Sequence, residues 1–476
     1  MKILLIDPFY NNGVVPPNYS LGEIEKYIVD TNVEIEVIDF VHKNKIENLD
    51  EFKKLENDFI NKIVEKVKKE TNAIIYITTS YGIPLKQKPV YPRVKKILKE
   101  IRENNSMIPV YVGGATVNYA QKELGINLQD YEENVTDIIY GDEIKFVDIL
   151  SEKYGIETKD IGIIKWNNWN WEKYPKHISL LSAKGCPSAC NFCFENKIFD
   201  NKYIRNNIDL LIENIKYLVK EKGITNFAIE DSSFLFNIDF EYFCDKIIKD
   251  NININWTCYA KVFQINKYHN LLEKMKNAGC TSMIIGIETT NNEDLEKLQK
   301  GITNDEINKM IGYMNEVEIG IQGCFMVGMP NSSREHIIQS VKYAKQLDLF
   351  LYRWHIFQLP LIEIHNTVDK TVKPEDYFTM QLNVPDNCLD EVLSNINKPI
   401  LLLNEEHFLI RGLRYIDEEN AAFGNISNSI VTYKELFKIL KDNINLDAIF
   451  DEEEMYNKIG KETNYEKSIE KCNIFK

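Results

Sequence analysis

The chain has 476 residues, 44% hydrophobic and 27% charged, with a formal net charge of −15. That length exceeds one ordinary core and predicts two or three domains, while the acidic balance argues against a partner bound through nucleic-acid phosphates. No apolar run reaches the roughly 18 residues of a membrane helix, so no membrane partner is expected. The nine cysteines, none before Cys186, lack the dense even pattern of a secreted scaffold and predict a reducing, cytoplasmic setting.

From residue 1 to 153, apolar runs at 3–6, 33–40, 73–79, 110–112 and 138–140 read as strands. The first is too short for a signal segment. Amphipathic stretches, clearest at 51–69 and 94–103, lie between them. Strands alternating with helices need crossover connections, which predicts an α/β fold with a doubly wound parallel sheet. Ligands of such sheets sit beyond the strands' carboxyl ends, where Asp7-Pro-Phe, Thr78-Thr-Ser-Tyr and Gly113-Gly-Ala-Thr fall. Residues 154–177, with Trp166, Trp169 and Trp171, read as a linker whose tryptophans anchor an interface between domains.

A second alternating series follows, with strands at 178–182, 226–230, 255–259, 282–287, 321–327 and 351–357. Thr303 with Glu306 and Ser332 with Glu335 have the spacing of capping boxes. Six β/α units without a seventh predict a partial barrel, (β/α)6, over 178–365, with functional groups at the strand carboxyl ends. Residues 366–476, with helical patterns near 433–441 and 452–459, read as a mostly helical substrate domain.

The first strand of this series leads into Lys184-Gly-Cys-Pro-Ser-Ala-Cys-Asn-Phe-Cys193. The C-x3-C-x2-C spacing brings the thiols of Cys186, Cys190 and Cys193 to one small volume and supplies no fourth. A cubane iron-sulfur cluster normally takes four thiolates, so one built here keeps an open iron, as catalytic metal sites keep an open position. A zinc site completed by a distant ligand such as His177, or three unrelated buried thiols, are the alternatives; cysteines this close seldom serve packing alone.

With Gly185, Pro187 and Phe192 around the cysteines, this segment resembles the signature of the radical S-adenosylmethionine (SAM) enzymes. The resemblance implies a [4Fe-4S] cluster whose open iron holds the amino and carboxylate groups of SAM. An electron from a flavodoxin- or ferredoxin-like donor then cleaves SAM to methionine and a 5'-deoxyadenosyl radical. It further implies SAM-binding roles for Phe192 and for Asp231, with Glu230 as its backup, opposite the ammonium; Asp231 as a helix cap is the alternative. Lys261 stands where relatives often have Arg, Glu288 would contact ribose or methionine, and Gly328 would let the backbone approach the ligand. The Pro-Gly-Thr segment common after the sixth strand is replaced by Leu361-Ile-Glu-Ile-His-Asn-Thr367.

The N-terminal part resembles the cobalamin-binding domain that precedes many such barrels, through Leu4-Leu-Ile-Asp-Pro8, Ile108-Pro-Val-Tyr-Val-Gly-Gly114 and Asp137-Ile-Ile-Tyr-Gly-Asp-Glu143. The Asp-x-His-x-x-Gly signature of a lower axial ligand is absent, and Asp39-Phe-Val-His42 has the wrong spacing. Thr79, Ser80, Gly113 and Gly114 would then underlie the corrin. With cobalamin, the resemblance implies methylation of an unactivated carbon in a peptide or natural product. Without it, the outcome is epimerisation, cyclisation or rearrangement, with Cys258, Cys324 or, in a polar loop, Cys388 as hydrogen donor. An iron-sulfur or corrinoid sensor is the non-enzyme alternative, and an oxygen-sensitive cluster suits an anaerobic host.

Overall fold

Strands β1 (Lys2–Asn11), β2 (Glu34–Val41), β3 (Ala73–Thr78), β4 (Val110–Gly113) and β5 (Asp137–Ile139) form one sheet in the order β2-β1-β3-β4-β5. Every neighbouring pair in it is parallel. The computed structural model describes residues 1–356, apart from 80–90, 122–132, 328–338 and scattered single positions, several of them between 189 and 201; beyond 356 it describes 400–402 and 412–414. The chain divides into two units, one built on 1–179 with 213–222, the other on 180–212 and 223–356.

In the first unit Ile3, Leu4, Leu5 and Ile6 of β1 are wholly buried, as are Ile75, Tyr76 and Ile77 of β3. Such unbroken apolar runs are what strands buried on both faces require. The intervening helix Leu49–Lys69 begins at Asn48, whose side chain accepts from the Glu51 amide at 2.9 Å, and carries Lys66, Lys68 and Lys69 in its last turn. Both ends thus suit the helix dipole. The strand order places a topological switch point between β1 and β3, where doubly wound sheets open a crevice.

Residues 154–177, expected as a linker, cluster with the first unit, where Trp166 is fully buried against the helix Tyr19–Tyr27. A Cβ on Gly22 of that helix would come within 2.7 Å of the Trp166 ring. Trp169 donates to Glu25 of the same helix at 3.3 Å, so both tryptophans pack on that helix.

Strand β6 (His177–Leu180) runs into the second unit at Leu180, and that unit carries β7 (Ala183–Gly185), β8 (Tyr203–Arg205), β9 (Asn226–Ile229), β10 (Asn255–Ala260), β11 (Cys280–Glu288), β12 (Gly320–Val327) and β13 (Leu351–Ile356). Six of these lie in one sheet in sequential order, β13-β12-β11-β10-β9-β6, with parallel pairing from β9 to β13. These are the six strands expected, and Thr303 and Glu306 form the expected reciprocal cap of helix Asn304–Glu316. Ser332 and Glu335 lie outside the described residues. So does most of 366–476, including both expected helices; what is described there is an antiparallel pair, β14 (Ile400–Leu402) with β15 (Gly412–Arg414). No helix among the described residues is long and apolar enough to cross a membrane.

Candidate active site

The chain leaves β6, passes Ser182 and enters β7, which pairs antiparallel with β8 so that Gly185 lies opposite Tyr203. This two-stranded bracket clamps both ends of the cysteine loop. It was illegible in the sequence, because three-residue strands are too short to show a period. Gly185 has φ +81, and a Cβ there would stand 2.0 Å from the Lys202 carbonyl oxygen. Only glycine fits that crossing.

Asp231, just past β9, holds the loop's entrance. Its Oδ1 accepts from the amides of Ser182 at 2.7 Å and Ala183 at 3.0 Å; its Oδ2 accepts from the Ser182 hydroxyl. That hydroxyl in turn accepts from Asn237 Nδ2 at 2.9 Å. Asp231, Ser182 and Asn237 are all completely buried, and burial pushes the Asp231 carboxyl up to about 6 against the lowering effect of these donors. Each of these bonds of the Asp231 carboxylate runs to the start of the cysteine loop, not to an open face. Glu230, the backup, is buried at the strand end, its amide donating to the Leu180 carbonyl at 2.9 Å.

The next residue, Ser232, donates its hydroxyl to the Gly185 carbonyl at 3.1 Å. Burial pushes the Glu195 carboxyl up to about 7, against the lowering effect of Ser232 and of the Gly185 backbone. The end of β9 therefore grips the loop at Ser182, Ala183 and Gly185, just before the first cysteine.

Cys186 is buried; Cys190 and Cys193 are half-buried. Burial pushes the Cys193 thiol up to about 11, with the neighbouring Glu195, Cys186 and Cys190 adding to the rise. No three His, Cys, Asp or Glu side chains among the described residues converge closely enough for one metal ion. Ligands of a single zinc ion lie about 2.3 Å from it and so crowd together, whereas in a cubane each cysteine bonds a different iron and the thiols stand farther apart. Three thiols on one pinned loop suit the cluster.

Two lysines reach this loop. Lys261, at the end of β10, puts Nζ 4.0 Å from Cys190 Sγ. Lys300 bonds Glu288 at 2.6 Å, both side chains being about nine-tenths buried. Burial opposes the Lys300 charge, but Glu288, Cys190 and Cys193 outweigh it and hold its pKa above the ordinary value. Glu288 has φ +67 and follows an irregularity in the β11–β12 register after Gly286. A left-handed glutamate costs on the order of 1–2 kcal/mol. It brings the ion pair over Gly286, where a Cβ would come within 2.3 Å of Glu288 Oε1 and 2.7 Å of Lys300 Nζ. Nothing in the sequence pairs Lys300 with Glu288, 12 positions before it.

Of the hydrogen donors considered, Cys258 is buried in β10 against Cys280, and its thiol is held well above the usual range by burial first and Cys280 next. Cys324 is half-buried on β12, level with Gly286. Phe192, Gly328 and Cys388 lie outside the described residues.

In the first unit, Thr79 and Gly113 meet at the ends of β3 and β4, the Thr79 hydroxyl donating to the Gly113 carbonyl at 2.8 Å. The side of Gly113 that a Cβ would occupy is filled by the Tyr76 hydroxyl, 2.4 Å from that point. Gly114 is buried with φ +111; Ser80 lies outside the described residues. Asp7, the residue after the last one that β1 pairs with β3, accepts from the Phe9 amide and Asn18 side chain, both at 3.2 Å, and burial pushes its carboxyl up to about 7.

Residues 180–344 match the family model of the Radical SAM superfamily. An uncharacterized methyltransferase of Pyrococcus horikoshii is 28% identical over 174 residues, 36% of this chain and 37% of that protein. The anaerobic magnesium-protoporphyrin IX monomethyl ester cyclase of Rubrivivax gelatinosus is 24% identical over 253 residues, 51% of this chain and 45% of that one. The chain thus spans less than half the length of these curated relatives. Among solved structures, the radical SAM methyltransferase TsrM of Kitasatospora setae, with cobalamin and a [4Fe-4S] cluster bound, superposes with TM-score 0.57 at 17% identity over 75% of this chain and 74% of its own. OxsB, a cobalamin-dependent SAM radical enzyme, gives 0.54 at 14% over 73% and 52%. At these identities the structural likeness is one of fold.

Proposed function

With a radical SAM domain over residues 180–344 as the premise, we propose that Cys186, Cys190 and Cys193 carry a [4Fe-4S] cluster that binds SAM at its open iron. The protein then methylates an unactivated carbon of a peptide or natural product, with cobalamin at the carboxyl edge of the first sheet. When bound, these groups supply the electron that cleaves SAM and a carrier for the methyl group. The chain's own residues hold geometry: Asp231, Ser232 and Gly185 fix the loop, and Glu288 with Lys300 closes its flank. The observation that carries the reading is the cysteine loop pinned at the end of β6 by a wholly buried carboxylate.

For cobalamin, the support is the β2-β1-β3-β4-β5 order, the small residues at the ends of β3 and β4, and the likeness to two cobalamin-bound folds. The fit is partial, since Tyr76 fills the volume over Gly113. Anaerobic reconstitution with iron, sulfide and hydroxocobalamin, followed by metal assay and visible spectrum, tests it. About four irons with stoichiometric cobalt is the expected result, and a protein that takes up no iron sinks the reading.

A second reading keeps the cluster without cobalamin and uses a thiol to return hydrogen. Cys324 favours it, because parallel strands level with each other direct side chains to the same face, which sets this half-buried thiol on the Lys300 side of Gly286. Iron without cobalt, and a Cys324→Ala variant that still cleaves SAM but forms no product, would support it.

A further inference from the structure

Lys261 differs from Lys300 in having no carboxylate partner among the described residues. Its ammonium lies 4.0 Å from Cys190 Sγ and 5.7 Å from the centre of the Phe236 ring. The backbone beneath it is fixed: its amide donates to Gln264 Oε1 at 3.1 Å, and that oxygen also accepts from the buried Ser233 hydroxyl. Among the described residues, Cys190 Sγ is the side-chain acceptor its ammonium meets.

We propose that Lys261 is a positioning residue for charge, setting the reduction potential of the cluster through its contact with Cys190. The inference rests on the reading that the cysteine loop carries that cluster. Reduction adds one electron, from a strong one-electron reductant, to a centre already bearing three thiolates. A cation beside one of those sulfurs stabilises the more negative state, and potentials of such clusters respond to net charge and to hydrogen bonds at sulfur. Partial burial limits screening of the interaction by salt. Lys300 contributes less, because Glu288 neutralises it at 2.6 Å.

The test is a redox titration of the full chain, reconstituted anaerobically without SAM and followed by electron paramagnetic resonance, for wild type, Lys261→Gln, Lys261→Met and Lys261→Arg. The Gln and Met variants should keep their iron yet show a reduced-to-oxidised ratio about tenfold smaller at a given potential, equal to a midpoint lower by about 59 mV for one electron; the Arg variant should stay with wild type. An unchanged midpoint in the Gln variant, with loss of the spectral change that SAM induces, would overturn the proposal and assign the cation to SAM. Loss of iron from both neutral variants but not from Arg would overturn it in favour of a role in holding the cluster. Wild-type protein without a cluster signal would sink the functional reading itself, and this inference with it, before any variant is compared.

Discussion

Replacing Asp231 by Asn changes one oxygen for an amide and keeps the shape, so its effect can be worked from the hydrogen bonds. Three donors converge on the carboxylate: two backbone amides on Oδ1 and the Ser182 hydroxyl on Oδ2. An asparagine oriented to keep its oxygen on the amides turns a donor toward Ser182 Oγ, which already accepts from Asn237, and the hydroxyl proton loses its acceptor. The opposite orientation strands two buried amides instead. One unpaired buried polar group costs about 1–3 kcal/mol, and the remaining bonds lose their charge assistance. Together these give a loss of about 2–4 kcal/mol, felt where the cysteine loop begins. After anaerobic reconstitution, Asp231→Asn should hold markedly less iron per chain than wild type and melt at lower temperature in its second unit. A variant that keeps full iron and native melting but no longer binds SAM would refute this reasoning, since it would mean the carboxylate meets the ligand rather than the loop.

Asp7 gives a pH signature. Burial pushes its folded pKa up to about 7, above the roughly 4 of an unfolded aspartate, so the folded state binds its proton more readily than the unfolded one. Its contribution is therefore fully present below about pH 4 and is lost as pH rises to about 7, by up to a few kcal/mol; melting temperature should fall over that window and Asp7→Asn should flatten the slope, a parallel slope in both proteins counting against it. Gly286→Ala should part the Glu288–Lys300 pair, which stands 2.3 and 2.7 Å from the added carbon, and destabilise by about 1–3 kcal/mol in thermal or denaturant melts. Combining it with Glu288→Gln and Lys300→Met should recover part of that loss, and strictly additive losses would refute the proposed clash.

What the sequence by itself determined was everything carried by short-range periodicity. Apolar runs at 3–6 and 73–79 read as strands, their alternation with helical patterns predicted parallel pairing, and the spacing of Cys186, Cys190 and Cys193 put three thiols on one loop. Residues separated by a few positions share one local geometry, so their pattern is legible without a fold. What the tertiary structure alone decided was where each polar side chain spends its hydrogen bonds. Asp231 finds its donors 48 and 49 positions away, and Lys261 meets Cys190 across 71. Which face a residue just beyond a strand presents depends on how its neighbours pack, and in a buried site a single turn of the backbone exchanges a ligand contact for a structural one. Asp231 therefore bonds the start of the loop and Lys261 lies against a cysteine sulfur, because a buried charge goes to whichever partners the assembled sheet places within reach.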